Sequence, residues 1–183
     1  MNQLASSSQL RMSLVRWALF VMPVILLLGF LSGAVAGSGE DNRWFAELVK
    51  PAAQPPGWMF GVAWTILYLM IGLAFAMILH ARGAKQRGLA IGLFLGQYIL
   101  NLLWSPIFFG QHEVTTALYL IVFILVLAFI TTLVFGRIRK AAAWLMVPYL
   151  AWLSFASILN YQIDSLNPDA ESLYVPAAQT ISR

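Results

Sequence analysis

Five apolar stretches, at about 14–36, 58–79, 88–109, 115–135 and 142–163, constrain this chain more than any other feature. Each is close to the roughly 20 residues a helix needs to cross about 30 Å of hydrocarbon. None shows the alternation of a membrane-barrel strand. A helix also satisfies its own backbone N–H and C=O groups, which the bilayer interior demands. The pattern predicts an all-α integral membrane protein, a five-transmembrane-helix bundle forming one domain over 1–183. A polar C-terminal tail over 164–183 is expected to fray. Composition agrees: 61% of the 183 residues are hydrophobic and 10% charged, against about 25% charged in a soluble domain. Charge is too scarce for a water-facing surface, and no length remains for a separate soluble domain.

The charges that are present read as topology signals. Arg11, Arg16, Arg82, Lys85, Arg87, Arg137, Arg139 and Lys140 fall on one side, while Arg43, Lys50 and Arg183 fall on the other. The excess of basic residues places the N-terminus inside and the C-terminus outside. The net charge of +4 is therefore no sign of a nucleic-acid partner. Arg11 and Arg16 followed by an apolar run ending in Ala34-Val35-Ala36 also resemble a signal peptide. The run from Trp17 is long for one, which favours a retained helix, and either reading puts the next loop outside. That loop, 37–57, carries Trp44-Phe45, Leu48-Val49, Lys50-Pro51 and Pro55-Pro56. It is either a plain connector or a lid whose apolar residues pack downward.

Inside the spans the chemistry is sparse. All seven Asp and Glu residues lie in loops or at helix ends, so the intramembrane ionisable groups that ion-coupled transport usually needs are missing. His80 and His112 fall at helix ends on opposite sides and cannot share one haem iron or metal ion. Cysteine is absent, which removes disulfides, thiolate ligands and cysteine nucleophiles. No metal and no required cofactor is expected.

Tryptophan is the positive signal, with seven in the chain. An aromatic belt at the membrane interfaces accounts for Trp17, Trp58 and Trp144. It accounts poorly for Trp152, near the middle of the last span, and Trp64 and Trp104 are intermediate. Counting from the outer helix ends, Trp104 lies about 8 Å deep, Trp64 about 9 Å, Asn101 about 12 Å and Trp152 about 16 Å. Three helices thus bring polar-edged groups to the outer half of the bundle, beneath the long loop. Buried indole N–H groups and amides require partners, which are either one another or a ligand. Two ridges of small residues, Gly29-Gly33-Gly37 and Gly88-Gly92-Gly96, allow close backbone approach. One serves as an internal seam, and the other, taken as Gly88, Gly92 and Gly96, is left for a partner subunit.

With these segments in view, the chain resembles the TspO/MBR family, the tryptophan-rich sensory proteins and mitochondrial translocator (peripheral benzodiazepine receptor) proteins. The resemblance covers about 44–161 and rests on four spaced motifs. They are Trp44-Phe45-x-x-Leu48-x-Lys50-Pro51, Pro55-Pro56-x-Trp58-x-Phe60-x-x-x-Trp64-x-x-Leu67-Tyr68, Asn101-x-x-Trp104-x-Pro106-x-Phe108-Phe109-Gly110 and Pro148-Tyr149-Leu150-Ala151-Trp152-x-x-Phe155-Ala156-x-x-Leu159-Asn160-Tyr161. It implies a homodimeric five-helix bundle in the lipid bilayer that binds a hydrophobic small molecule: porphyrins such as protoporphyrin IX, sterols in some members, and drugs. It further implies a ligand under the first loop, contacted by Phe45, Trp58, Phe60, Trp64, Asn101, Trp104, Trp152, Ala156 and Leu159. Some bacterial relatives promote light-dependent porphyrin breakdown, for which Trp64 and Trp152 would be the catalytic pair.

Two departures matter. No Lys or Arg follows Tyr161 until Arg183, so the sterol motif of animal relatives is incomplete, and such motifs are weak anyway. Thr116 stands where several relatives carry Trp, which would alter one pocket wall. The resulting expectation is a sensor, scavenger or regulator of porphyrin metabolism, with a porphyrin-degrading enzyme or a transporter of porphyrin or sterol as rivals. The expected location is a bacterial inner membrane, with the mitochondrial outer membrane as the alternative.

Overall fold

The computed structural model describes residues 7–173, with side chains from Met12 onward. Its helices are α1 (Ser7–Val35), α2 (Arg43–Glu47), α3 (Gly57–His80), α4 (Arg87–Ser105), α5 (Val114–Ile138) and α6 (Lys140–Leu166). A π-helical turn, Pro106–Gly110, extends α4, and a 3-10 turn, Ala170–Ser172, follows α6. Five segments have the length and apolarity to cross a membrane: Met12–Val35, Gly57–His80, Arg87–Gly110, Val114–Ile138 and Lys140–Leu166. The protein is an all-helical membrane protein, and each span lies within three residues of its expected limits.

The ends are set by local chemistry. Gly37 adopts the left-handed conformation, φ +63°, and stops α1. Ser38 N donates to Gly33 O (2.9 Å) and Gly37 N to Ala34 O (3.1 Å), so two otherwise orphaned carbonyls are satisfied. The small-residue series starting at Gly29 therefore ends in a helix stop rather than a third ridge position. At the head of α3, Gly57 N donates to Glu40 Oε1 (2.6 Å), a cap supplied from the preceding loop. Pro106 cannot donate to the carbonyl of Leu102, four residues back. That carbonyl accepts from Ser32 Oγ of α1 instead, at 2.5 Å. A proline break in one helix thus becomes a cross-link to another.

The long helices form a closed ring in the order α1, α3, α6, α5, α4 and back to α1. One half of the ring is solid. Ile71, Ile78, Phe94, Phe135, Met146 and Tyr149 are fully buried there, with Phe75 stacked on Phe94 at 4.1 Å. Tyr149 Oη closes this half by donating to Gln97 Oε1 (2.9 Å). The α3–α4 loop and the α5–α6 junction, with their Arg and Lys residues, lie at this basic end.

The other end is covered by the long loop, which does pack downward. Trp44 is buried and donates through Nε1 to Ala170 O (2.9 Å). The stretch after Asp164, expected to fray, is instead structured to Leu173. Asn167 Oδ1 accepts from Val49 N (2.7 Å) and its Nδ2 donates to Val49 O (3.0 Å), pairing with the lid backbone. A polar stretch gains structure here because its amide satisfies a loop that would otherwise leave backbone groups open. Residues 174–183 lie outside the described residues.

Candidate functional site

Beneath the lid the ring is hollow. A cavity of about 640 Å³ lies between α1, α3, α4, α5 and α6, roofed by α2 and the loop that follows it. Sites for small molecules and cofactors occupy roughly 300–1,000 Å³ and are mostly apolar with a few placed polar groups.

Helical periodicity explains which side chains enter. On α3, Phe60, Trp64 and Tyr68 recur every four residues and share one face, each lining the cavity. Trp58 is two residues from Phe60, about 200° around the helix. It points outward, is 69% exposed and does not line the cavity. The resemblance-based placement of Trp58 at the ligand is thus corrected to the interfacial belt of the lid end, as Trp144 (72% exposed) belongs to that of the basic end. On α6, Trp152, Ala156 and Leu159 form one stripe, continued by Asn160 and Ile163. On α4, Asn101 and Trp104 face inward, and the π turn carries Phe108 and Phe109 to the same wall.

The aromatic groups meet at ring-contact distances. Trp64 and Trp152 stand edge to face at 6.4 Å, Phe60 touches Trp152 at 5.7 Å and Trp64 stacks on Tyr68 at 5.0 Å. From the roof, Phe45 meets Phe109 at 5.2 Å and Phe108 at 6.0 Å. The rings line the cavity in two groups, Phe60, Trp64, Tyr68 and Trp152 on α3 and α6, and Phe45, Trp104, Phe108 and Phe109 on α2, α4 and the π turn.

The question of what partners the indoles divides by residue. Trp104 Nε1 donates to Ala117 O (3.2 Å) and to Asn160 Oδ1 (3.3 Å), while Asn160 Nδ2 donates to Val114 O (3.1 Å). This indole is satisfied within the protein. Tyr68 Oη donates to Asn101 Oδ1 (3.1 Å) and occupies the cavity floor. Trp152 Nε1 is buried without a partner, and so is Gln54 Oε1 in the roof; both residues line the cavity. A buried polar atom without a partner costs about 1–3 kcal/mol, so both side chains carry unmet hydrogen-bonding capacity beside the cavity.

Lys50 holds the lid from inside. Its Nζ donates to Phe45 O and to Leu48 O (2.8 Å), and lies 4.4 Å from the centre of the Phe45 ring. Burial under the lid lowers its pKa, and the neighbouring Glu47 carboxylate opposes that shift. The cation is thus committed to the end of α2 rather than offered to the cavity.

Several lining residues escaped the sequence reading. Tyr68 was legible as the next step of the Phe60–Trp64 stripe. Gln54, Phe108 and Phe109 lie in the quoted motifs or beside them, but nothing in the spacing aims them inward. Phe30 and Gly33 bring α1 to the cavity, which no local signal announces. Thr116 is exposed, with Oγ1 on Glu113 Oε2 (3.1 Å), and forms no part of the wall. His112 stacks on Trp44 at 4.3 Å, whereas His80 lies at the basic end within 3.5 Å of Arg139 Nη2. No cluster of three or more metal-ligating side chains occurs among the described residues.

Known proteins of the same pattern match most of the chain. The TspO/MBR family profile fits residues 20–166, wider at both ends than the motifs alone and reaching into α1. A tryptophan-rich protein TspO from Chlorobaculum tepidum is 44% identical over 78% of this chain and 90% of its own. The translocator protein of Bos taurus is 39% identical over 74% of this chain and 80% of its own. A tryptophan-rich sensory protein from Cereibacter sphaeroides is 35% identical over 82% and 92%, respectively.

Proposed function

The chain belongs to the TspO/MBR family, and on that premise we propose that it binds porphyrins and related bulky tetrapyrroles within the membrane, as a sensor, scavenger or regulator of porphyrin metabolism. The observation that carries this reading is the lidded cavity of about 640 Å³ with an aromatic wall and an unpartnered Trp152 N–H. A flat, largely apolar macrocycle with polar nitrogens and peripheral carboxylates suits such a wall: ring faces stack on Trp64 and Phe60, and an acceptor meets the indole. The basic α1 start and α3–α4 loop support an N-terminus-inside orientation in a bacterial inner membrane. A homodimer fits the open glycine ridge on α4. The test is titration of protoporphyrin IX into purified protein. Saturable quenching of tryptophan fluorescence is expected, weakened in Trp64→Phe with Trp152→Phe. Unchanged binding in that double variant removes this cavity from the reading.

A second reading is favoured by the Trp64–Trp152 contact at 6.4 Å. An indole beside a photoexcited porphyrin is an electron donor, so the pair would support light-dependent porphyrin oxidation. Illumination of the complex should then yield an absorbing product that free porphyrin does not give; equal yield without protein defeats the enzyme reading.

A further inference from the structure

The basic end holds a second cleft, of about 300 Å³, lined by Ser13, Arg16, Trp17, Phe20 and Arg82. The first four share one face of α1, at helical spacings of three and four residues, and Arg82 reaches over from the α3–α4 loop. Two neighbouring cations are already engaged. Arg87 donates to Ile78 O (3.2 Å) and Leu79 O (2.8 Å), and Arg139 lies on His80. Arg16 and Arg82 are exposed, and their side chains form no hydrogen bond or ion pair among the described residues. Nor does the chain supply a counter-ion here, because Glu40, Asp41, Glu47, Glu113, Asp164, Asp169 and Glu171 all lie at the lid end.

Depth decides what meets this cleft. Arg16 is 19 positions before the end of α1, about 28 Å along the axis, close to the roughly 30 Å thickness of the hydrocarbon core. Arg82 lies two residues beyond α3, whose length from Gly57 is about 35 Å. Both guanidinium groups therefore stand at headgroup level. Below them the wall turns apolar: Trp17 is half-buried and Phe20 is exposed. A pair of guanidinium forks above an aromatic, lipid-facing wall matches a phosphodiester with attached acyl chains better than a soluble anion, which has nothing to place against Phe20.

We infer that Arg16, Arg82 and Trp17 form a site for the phosphodiester headgroup of an anionic phospholipid, separate from the lidded cavity. Its acyl chains run along the exposed face of α1. A lipid held there tethers the α3–α4 loop to α1 at the end where the ring has no lid.

The experiment is native mass spectrometry of the full chain in mild detergent, titrated in turn with phosphatidylglycerol, phosphatidylcholine and inorganic phosphate. Phosphatidylglycerol should bind preferentially, and Arg16→Gln with Arg82→Gln should weaken it about tenfold or more, the attraction of two interfacial arginines. Arg137→Gln with Lys140→Gln, which removes as much charge from the same end outside the cleft, should leave it unchanged. Equal weakening by both pairs, equal retention of phosphatidylcholine, or displacement of the lipid by equimolar inorganic phosphate would each overturn the site. Should the glutamine pair not fold, Arg16→Lys with Arg82→Lys keeps the charge and must still prefer phosphatidylglycerol; loss of that preference counts against the proposal as well.

Discussion

Gly29 of α1 lies against the edge of the Tyr68 ring so closely that a β-carbon on Gly29 would overlap the ring and sit 2.8 Å from its hydroxyl oxygen. The contact joins two functions. It sets the approach of α1 to α3, and it holds Tyr68 where its hydroxyl reaches Asn101 on the cavity floor.

Gly29→Ala is therefore expected to destabilise the bundle. Alanine gains about 1 kcal/mol of helix propensity over glycine, but overpacking a filled contact costs about 1–3 kcal/mol. The ring cannot swing away cheaply, because Trp64 stacks on one side and Tyr98 meets it at 6.2 Å. A lower thermal midpoint in detergent, with weaker porphyrin binding as Tyr68 tips into the cavity, is the expected result. A midpoint equal to that of the unaltered protein would show that the ring yields freely.

The Gly29–Tyr68 contact also shows where sequence reading stops. Helix count and limits were legible because the bilayer imposes one length and one composition on every span, and the Phe60–Trp64–Tyr68 stripe follows from helical period alone. What was not legible depends on the third dimension. Gly29 and Gly88 begin ridges of the same spacing, yet one meets Tyr68 and the other meets nothing within 4 Å. Trp58 and Trp64 stand in one motif, and only rotation about the axis separates belt from cavity. Asn167 looked like part of a loose tail because its partner, the Val49 backbone, is 118 residues away.

Removing that partner tests the lid. Asn167→Ala deletes both bonds to Val49 and a third to Ile163 O (2.7 Å). At about 0.5–1.5 kcal/mol per bond, and partly exposed, the loss is about 1–2 kcal/mol. It falls on the lid rather than on the helix core, so local opening should increase while global unfolding changes little. Hydrogen exchange across 43–55 should speed up about tenfold, with amides of α5 unaffected. Equal protection in both proteins would mean that Trp44 and Lys50 close the lid without this clamp.

Phe60 and Trp58 separate geometry from motif. Phe60→Ala removes the edge contact to Trp152, an aromatic pair worth about 0.5–1.5 kcal/mol, and should weaken porphyrin binding about three- to tenfold. Trp58→Ala, on the opposite side of α3, should change binding less than about twofold. The same fluorescence titration reads both. A larger effect at Trp58 would place the ligand outside the helix ring.

The open ridge on α4 gives the last test, because it separates the protomer from the assembly. A β-carbon at Gly88, Gly92 or Gly96 meets no neighbouring helix within 4 Å, and Gly92 is exposed, so a side chain there points away from the single bundle's packing. Gly92→Leu should even gain some of the helix propensity that glycine lacks, up to about 1 kcal/mol. In a dimer built on this ridge the same leucine would hold the facing backbones apart, and close approach is what small residues contribute in a lipid environment. Sedimentation of the detergent-solubilised protein should then show a shift from dimer to monomer with no fall in thermal midpoint. A dimer that survives Gly92→Leu would have to pack through another face, whereas a fall in midpoint without dissociation would place hidden packing against the ridge within the protomer.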